Sequence, residues 1–268
     1  MPITKVQSEI LLLLASHRDP QSFVAGSIPI NKDGPRYSQD IDIFHASVDQ
    51  VAPSARRDIE TLANAGYAVQ QIRQLPAIVS YEVRWGTAGT KVEWVADSDF
   101  RYFPAMADPM LGYTLHPADL AINKLMAAVG RREPRDVVDL LTLHEGVLPL
   151  GAIAWAAVEV AMGFTPEGLI AELRRNARYR EEDYRALDMA EPIVAADLAN
   201  QLRSACDNAD QFVARMPTAK AGRLFLRDGI PVQPDPERLA DYIEHRPQKG
   251  GHTPERQQSR PFPEKSPD

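Results

Sequence analysis

The sequence predicts a mixed α/β half followed by a mainly helical half. Three observations carry that prediction. Short segments of period-two alternation recur between residues 22 and 96, a helical pattern separates them, and from about Met110 onward strand signals almost vanish while helical segments follow one another.

Taken in order, Val6 to His17 has helical periodicity and stops before Asp19-Pro20, and Ser22 to Ala25 is a short strand running into Gly26-Ser27. Residues 28 to 37 carry Pro29, Gly34 and Pro35 and read as loop, with little room for a helix. "SQDIDIF" alternates as a strand. "PSARRDIETLANAG" is a helix with Pro53 or Ser54 near its start and Gly66 at its stop, followed by the strand "YAVQQIR". "IVSYEVRW" and "TKVEWVA", joined by a Gly-containing loop, form a hairpin. The second half reads as helices over "PADLAINKLMAAVG", "EPRDVVDLLTLHEG", "GAIAWAAVEVAMGF", "PEGLIAELRRNARYREEDYRALD" and "PIVAADLANQLRSACDNADQFVARM". The expected organisation is an α/β core over 1–110, a helical domain over 111–246 whose first helices complete the site, and a disordered tail over 247–268, where few apolar residues repay the ordering entropy.

A chain of 268 residues with 44% hydrophobic content buries one sizeable core or two smaller ones. The net charge of -7 argues against a nucleic-acid coat protein or a polybasic membrane binder, while leaving room for a local basic path. The one cysteine, Cys206, excludes an intrachain disulfide framework and a Cys-rich zinc site. The run "ILLLLA" falls far short of the roughly 20 apolar residues a membrane span needs, so a cytoplasmic protein with no membrane partner is expected. The histidines lack metal-ligand spacing and no Gly-x-Ser-x-Gly elbow occurs, which sets aside zinc and serine hydrolases. Trp85, Trp94 and Trp155 are expected in the core, and the arginines from Arg174 to Arg185 on a solvated, salt-bridged helix face.

The chemistry gathers at "DID". In a strand, Asp40 and Asp42 point to one face about 6.5–7 Å apart while Ile41 and Ile43 point to the other. Like charges on a partly buried face repel unless a cation neutralises them, and a divalent metal supplies one. Upstream, Gly26 allows close backbone approach and the Ser27 hydroxyl and amides suit phosphate oxygens. Glu93 in "KVEWVA" offers a third carboxylate, with a solvent-facing position beside Lys91 as the plain alternative. Lys124 must project toward the acidic face to meet phosphate; the alternative is a solvated helix face. Asp136 and Asp139, three apart, are neighbours if "PRDVVDLL" is helical, and either could simply complement the helix dipole.

Gly26, Ser27, Ser38, Asp40 and Asp42 resemble the first motif of the polymerase-beta-like nucleotidyltransferase superfamily. "DLAINKLMAAVGRREPRDVVDLL", residues 119–141, is similar to the second signature of AbiEii/AbiGii-type nucleotidyltransferase toxins of type IV toxin–antitoxin systems; together the two cover about residues 22 to 145. The resemblance implies a polymerase-beta-like core with a mixed sheet and a helical domain behind it. It implies Mg²⁺ or Mn²⁺ held by Asp40, Asp42 and Glu93. A nucleoside triphosphate would sit on Gly26, Ser27, Ser38 and Lys124, with catalytic roles for the acids, Lys124 and one of Asp136 and Asp139. It further implies a transfer RNA acceptor, blocked translation and a cognate antitoxin. The alternatives are a transferase acting on a small molecule or protein, and a non-catalytic regulatory module of the same fold.

Overall fold

The computed structural model describes residues 2–32, 34–161, 163–190 and 192–253. α1 (Lys5–Leu14) starts at a capping box between Thr4 and Gln7, which satisfies two of the free amides of its first turn. β1 (Ser22–Ala25), α2 (Ile28–Asn31), β2 (Asp40–His45), α3 (Val48–Asn64), β3 (Ala68–Leu75), β4 (Ile78–Trp85) and β5 (Ala88–Ala96) follow, then the short strands β6 (Phe100–Arg101), β7 (Met106–Asp108) and β8 (Gly112–Thr114). The remaining helices are α4 (Pro117–Gly130), α5 (Pro134–Gly146), α6 (Leu150–Ala157), α7 (Pro166–Asn176), α8 (Glu181–Arg185) and α9 (Ala195–Arg215), before β9 (Leu224–Arg227), β10 (Ile230–Val232), β11 (Ile243–His245) and β12 (Gln248–Lys249).

Seven strands form a mixed sheet in the order β3-β4-β5-β2-β1-β8-β7. β2 runs antiparallel to β1 and parallel to β5, so the acidic strand lies at the centre of the sheet. Period-two alternation then divides its residues. Ile41 and Ile43, with Val92 and Trp94 of β5, bury themselves beneath α1 and α3 in one apolar core. The opposite face, carrying Asp40 and Asp42, turns toward the helical half, whose own core is built around Leu125, Ile153, Trp155, Leu169 and Phe212.

Several expectations are corrected. A helix does fit between Gly26-Ser27 and the acid pair. Pro29 lies in the first turn of α2, where a missing N–H costs nothing, so the proline starts the helix instead of preventing it. α3 begins at Val48 because the Ser47 hydroxyl caps the Asp49 amide, leaving Pro53 inside the helix. The segment 166–188 is broken into α7 and α8, and α6 ends at Ala157. Strands do occur after Met110: β8 joins the main sheet beside β1, and β9, β10 and β11 make a separate small sheet. These strands run only three or four residues, too few for alternation to register.

Part of the expected tail is a strand. β12 pairs with β6, the Gly250 amide donates to the Asp99 carbonyl (2.7 Å) and the His252 amide to the Tyr102 carbonyl (3.1 Å). The remainder, 254–268, lies outside the described residues. Trp94 and Trp155 are buried, but Trp85 is 54% exposed, its ring tilted at 59° against Tyr67 at the end of the β4–β5 hairpin. Among the described residues no single helix is long and apolar enough to cross a membrane.

Candidate active site

The outward face of β2 and β5 is the floor of a cleft of about 850 Å³, and α4 forms one of its walls. Parallel pairing sets the floor in rows: Asp40 beside Lys91, Asp42 beside Glu93, Phe44 beside Val95. Because i and i+2 share a face, the floor passes from charged to apolar within one strand. Glu93 is therefore adjacent to Asp42, as a third carboxylate requires. Burial, with Asp40 and then Glu93 adding repulsion, pushes the Asp42 carboxyl up to about 6.

β1 delivers Gly26 and Ser27 to the same cleft. Gly26 has φ +70, and a Cβ built on it would collide with the Asp42 carboxylate, so glycine is required there by both conformation and space. Ser27 precedes α2, and its carbonyl accepts from the Asn31 amide and side chain.

Lys124 on α4 is 6% exposed, which removes the solvated-face alternative. Its ammonium lies 2.8 Å from Asp139 and 3.2 Å from Asp136, both fully buried on α5. Asp139 also accepts two bonds from Arg36 at 2.7 Å and one from Asn31 at 2.8 Å. Asp136 accepts from Arg131 at 2.6 and 3.0 Å. Burial alone would raise both acids. For Asp136 the Arg131 hydrogen bonds and Lys124 outweigh it, and for Asp139 Lys124 and Arg36 do, so both stay below the ordinary carboxylate value. A lysine ammonium has three protons. Two are engaged by Asp136 and Asp139, and the third remains for the cleft that Lys124 lines.

The structure thus gathers Gly26, Ser27, Asp40, Asp42, Glu93 and Lys124 around one space. Asp136 and Asp139 do not line it; they hold Lys124 and the arginines from behind. Ser38 is not brought to the cleft. It is buried under α1, its carbonyl accepting from Gln7 and its amide donating to the Pro2 carbonyl, because the chain has not yet entered β2 there. Sequence reasoning missed Asn31 and Arg36, which fall in the presumed loop with no periodic signal. It also gave no role to Lys91, although its even spacing from Glu93 put both on one face.

Among the described residues no three acidic or imidazole side chains are already drawn together at metal-ligand spacing. Asp40 and Glu93 converge instead on the Lys91 ammonium, at 3.2 and 3.3 Å. The donor set nevertheless fits a hard divalent cation: three carboxylates share one face, one of them is raised by its neighbours, and a cation already occupies the space between two of them. Arg73, Arg131 and Arg135 line the same cleft, so it is also suited to an anionic substrate.

Against known proteins, the profile of the family described as nucleotidyl transferase AbiEii toxin, Type IV TA system, matches residues 31–215. No curated protein sequence matches the chain. Among solved structures, the nucleotidyltransferase toxin MenT4 from Mycobacterium tuberculosis is similar with a TM-score of 0.49 and 16% identity, covering 76% of this chain and 82% of that one. An H. pylori protein described as a nucleotidyltransferase has the same score and identity over 79% of this chain and 94% of its own. The poly(U) polymerase Cid1 has a TM-score of 0.31 and 10% identity, covering 75% and 67%.

Proposed function

The chain belongs to the AbiEii family of nucleotidyl transferase toxins of Type IV toxin–antitoxin systems, and from that membership and the cleft we propose that it is a metal-dependent enzyme moving a nucleoside monophosphate from a nucleoside triphosphate onto the acceptor end of a transfer RNA. The modified RNA no longer serves translation, and a cognate antitoxin protein restrains the enzyme. The observation that carries this reading is the presence on one cleft of three carboxylates, a glycine turn packed too closely against Asp42 for any side chain, and a buried lysine. The arginines lining the same cleft support a polyanionic acceptor.

In this reading, the Gly26 and Ser27 backbone and the Ser27 hydroxyl hold the triphosphate. Glu93 takes the proton of the acceptor hydroxyl, whose oxygen bonds to the α-phosphorus as the bond from that phosphorus to the bridging oxygen breaks. Pyrophosphate leaves, and the free proton of the Lys124 ammonium meets its developing charge. Asp40, Asp42 and Glu93 would hold Mg²⁺ or Mn²⁺, which supplies Lewis-acid polarisation of the phosphoryl oxygens when bound. Asp136 and Asp139 act as positioning residues for Lys124.

The test is incorporation of each labelled nucleoside triphosphate into a tRNA pool with Mg²⁺, beside parallel reactions with protein and small-molecule acceptors. Asp40→Ala and Asp42→Ala should each abolish incorporation while the protein stays folded. Label appearing only in a non-RNA acceptor would overturn the tRNA assignment, and undiminished transfer by either variant would remove the acids from the chemistry.

A further inference from the structure

Lys91 has no part in the transfer described above, yet it occupies the most consequential position on the cleft floor. Its ammonium bridges Asp40 and Glu93, one from each of two adjacent strands, at 3.2 and 3.3 Å. A lysine on an ordinary sheet surface extends into water, because its rotamer entropy opposes pinning for the small return of an exposed pair. Here the pairing is double, and the side chain lies between two of the three carboxylates that would ligate a metal.

We propose that Lys91 is a resident counter-cation that competes with the divalent metal for Asp40 and Glu93, so that the protein without nucleotide binds metal weakly and retains it only together with the triphosphate. The inference rests on the reading of Asp40, Asp42 and Glu93 as the metal's ligands. Its physical basis is a charge count. Three carboxylates on one floor repel one another, and the Lys91 ammonium offsets one charge from between Asp40 and Glu93 when no metal is bound. A divalent ion entering the row must displace the ammonium from at least one carboxylate and accept a like charge a few ångströms away. A triphosphate arriving with the ion adds negative charge on the open side of the cleft, which both the ion and the displaced ammonium can face.

The experiment measures Mn²⁺ binding to the full chain by electron paramagnetic resonance, without nucleotide and with a non-hydrolysable triphosphate. The proteins are the wild type, Lys91→Met, Lys91→Gln and Lys91→Arg. Removing one positive charge at this range should tighten Mn²⁺ binding to nucleotide-free Lys91→Met and Lys91→Gln by at least ~10-fold. Lys91→Arg, which keeps the charge, should stay near wild type. The added triphosphate should narrow the gap between Lys91→Met and wild type. A second readout needs no substitution: the side-chain ¹⁵N signal of Lys91 in the wild-type protein should shift when diamagnetic Mg²⁺ and the triphosphate are added.

Equal affinities for wild type, Lys91→Met and Lys91→Gln overturn the proposal while leaving the metal site intact, as does Lys91→Arg binding as tightly as Lys91→Met. A Lys91 signal unmoved by bound Mg²⁺ and triphosphate also overturns it. Absence of Mn²⁺ binding in every protein, with nucleotide present, overturns the metal-dependent reading itself and the proposal with it.

Discussion

At the scale of single residues, the site depends on close approaches that leave little freedom to substitute. Gly26→Ala forces a left-handed backbone onto an L side chain and drives a methyl into the Asp42 carboxylate. Single-turnover incorporation should fall by about 100-fold, the scale of misplacing a reacting group by an ångström. Lys124→Ala should lower the rate by at least ~100-fold, and Lys124→Arg should restore little, since a planar fork does not fit the pocket between Asp136 and Asp139 as a compact ammonium does. Asp139→Asn separates support from chemistry. It leaves Arg36 and Lys124 underpaired in a buried place and should cost about 3–5 kcal/mol at pH 7. The folded-state pKa of Asp139 lies below its ordinary 3.8, so the wild type holds this stability above that pH and loses it as pH falls further. Denaturation curves at descending pH should therefore show the gap between wild type and Asp139→Asn closing only below about 3.8. Asp40, Asp42 and Lys124 were legible in the sequence because alternation and motif order constrain them. Which partner Asp139 would have was not, since Arg36 is remote in sequence and sits in an aperiodic segment.

Individual elements were legible in proportion to their length. β2, β4 and β5 each repeat their alternation several times, whereas β8 and β12 do not repeat it once. α2 was hidden for a different reason: proline signals a break in the middle of a helix but a start in its first turn, and a four-residue helix offers no periodicity to decide between them. The misread terminal strand has a measurable cost. A chain ended after residue 246 loses the β12–β6 pairing and the Gly250 and His252 backbone bonds, and its midpoint should fall by an amount equivalent to about 2–4 kcal/mol, at roughly 1 kcal/mol per net hydrogen bond. A chain ended after residue 253 keeps every one of those bonds and serves as the reference. Matching thermal midpoints for the two truncations would show that β12 contributes nothing.

For the whole molecule, the order of elements conveyed a mixed α/β half followed by helices, and that is the class observed, because fold class follows from the order of element types and needs no exact boundary. How the halves join was not legible, since it rests on contacts remote in sequence. Tyr102 is one such joint: its hydroxyl lies 2.8 Å from both the Ala156 and Gly222 carbonyls, deep in the helical core. Tyr102→Phe removes this donor from both carbonyls, leaving Ala156 its bond from the Glu159 amide, and should cost about 1–3 kcal/mol in a denaturation curve, with Mn²⁺–triphosphate binding unchanged. Asp139 is another joint, and it bears on motion. By clasping Arg36 and Asn31, it ties the glycine turn to the helical half on one side of the cleft, so opening there would have to break three buried hydrogen bonds. The opposite lip is the exposed outer strand β3, which carries Arg73 and, among the described residues, pairs in the sheet with β4 alone. The cleft is thus a vice with one fixed jaw, and the give falls to β3, whose amides should exchange with solvent faster than those of α5.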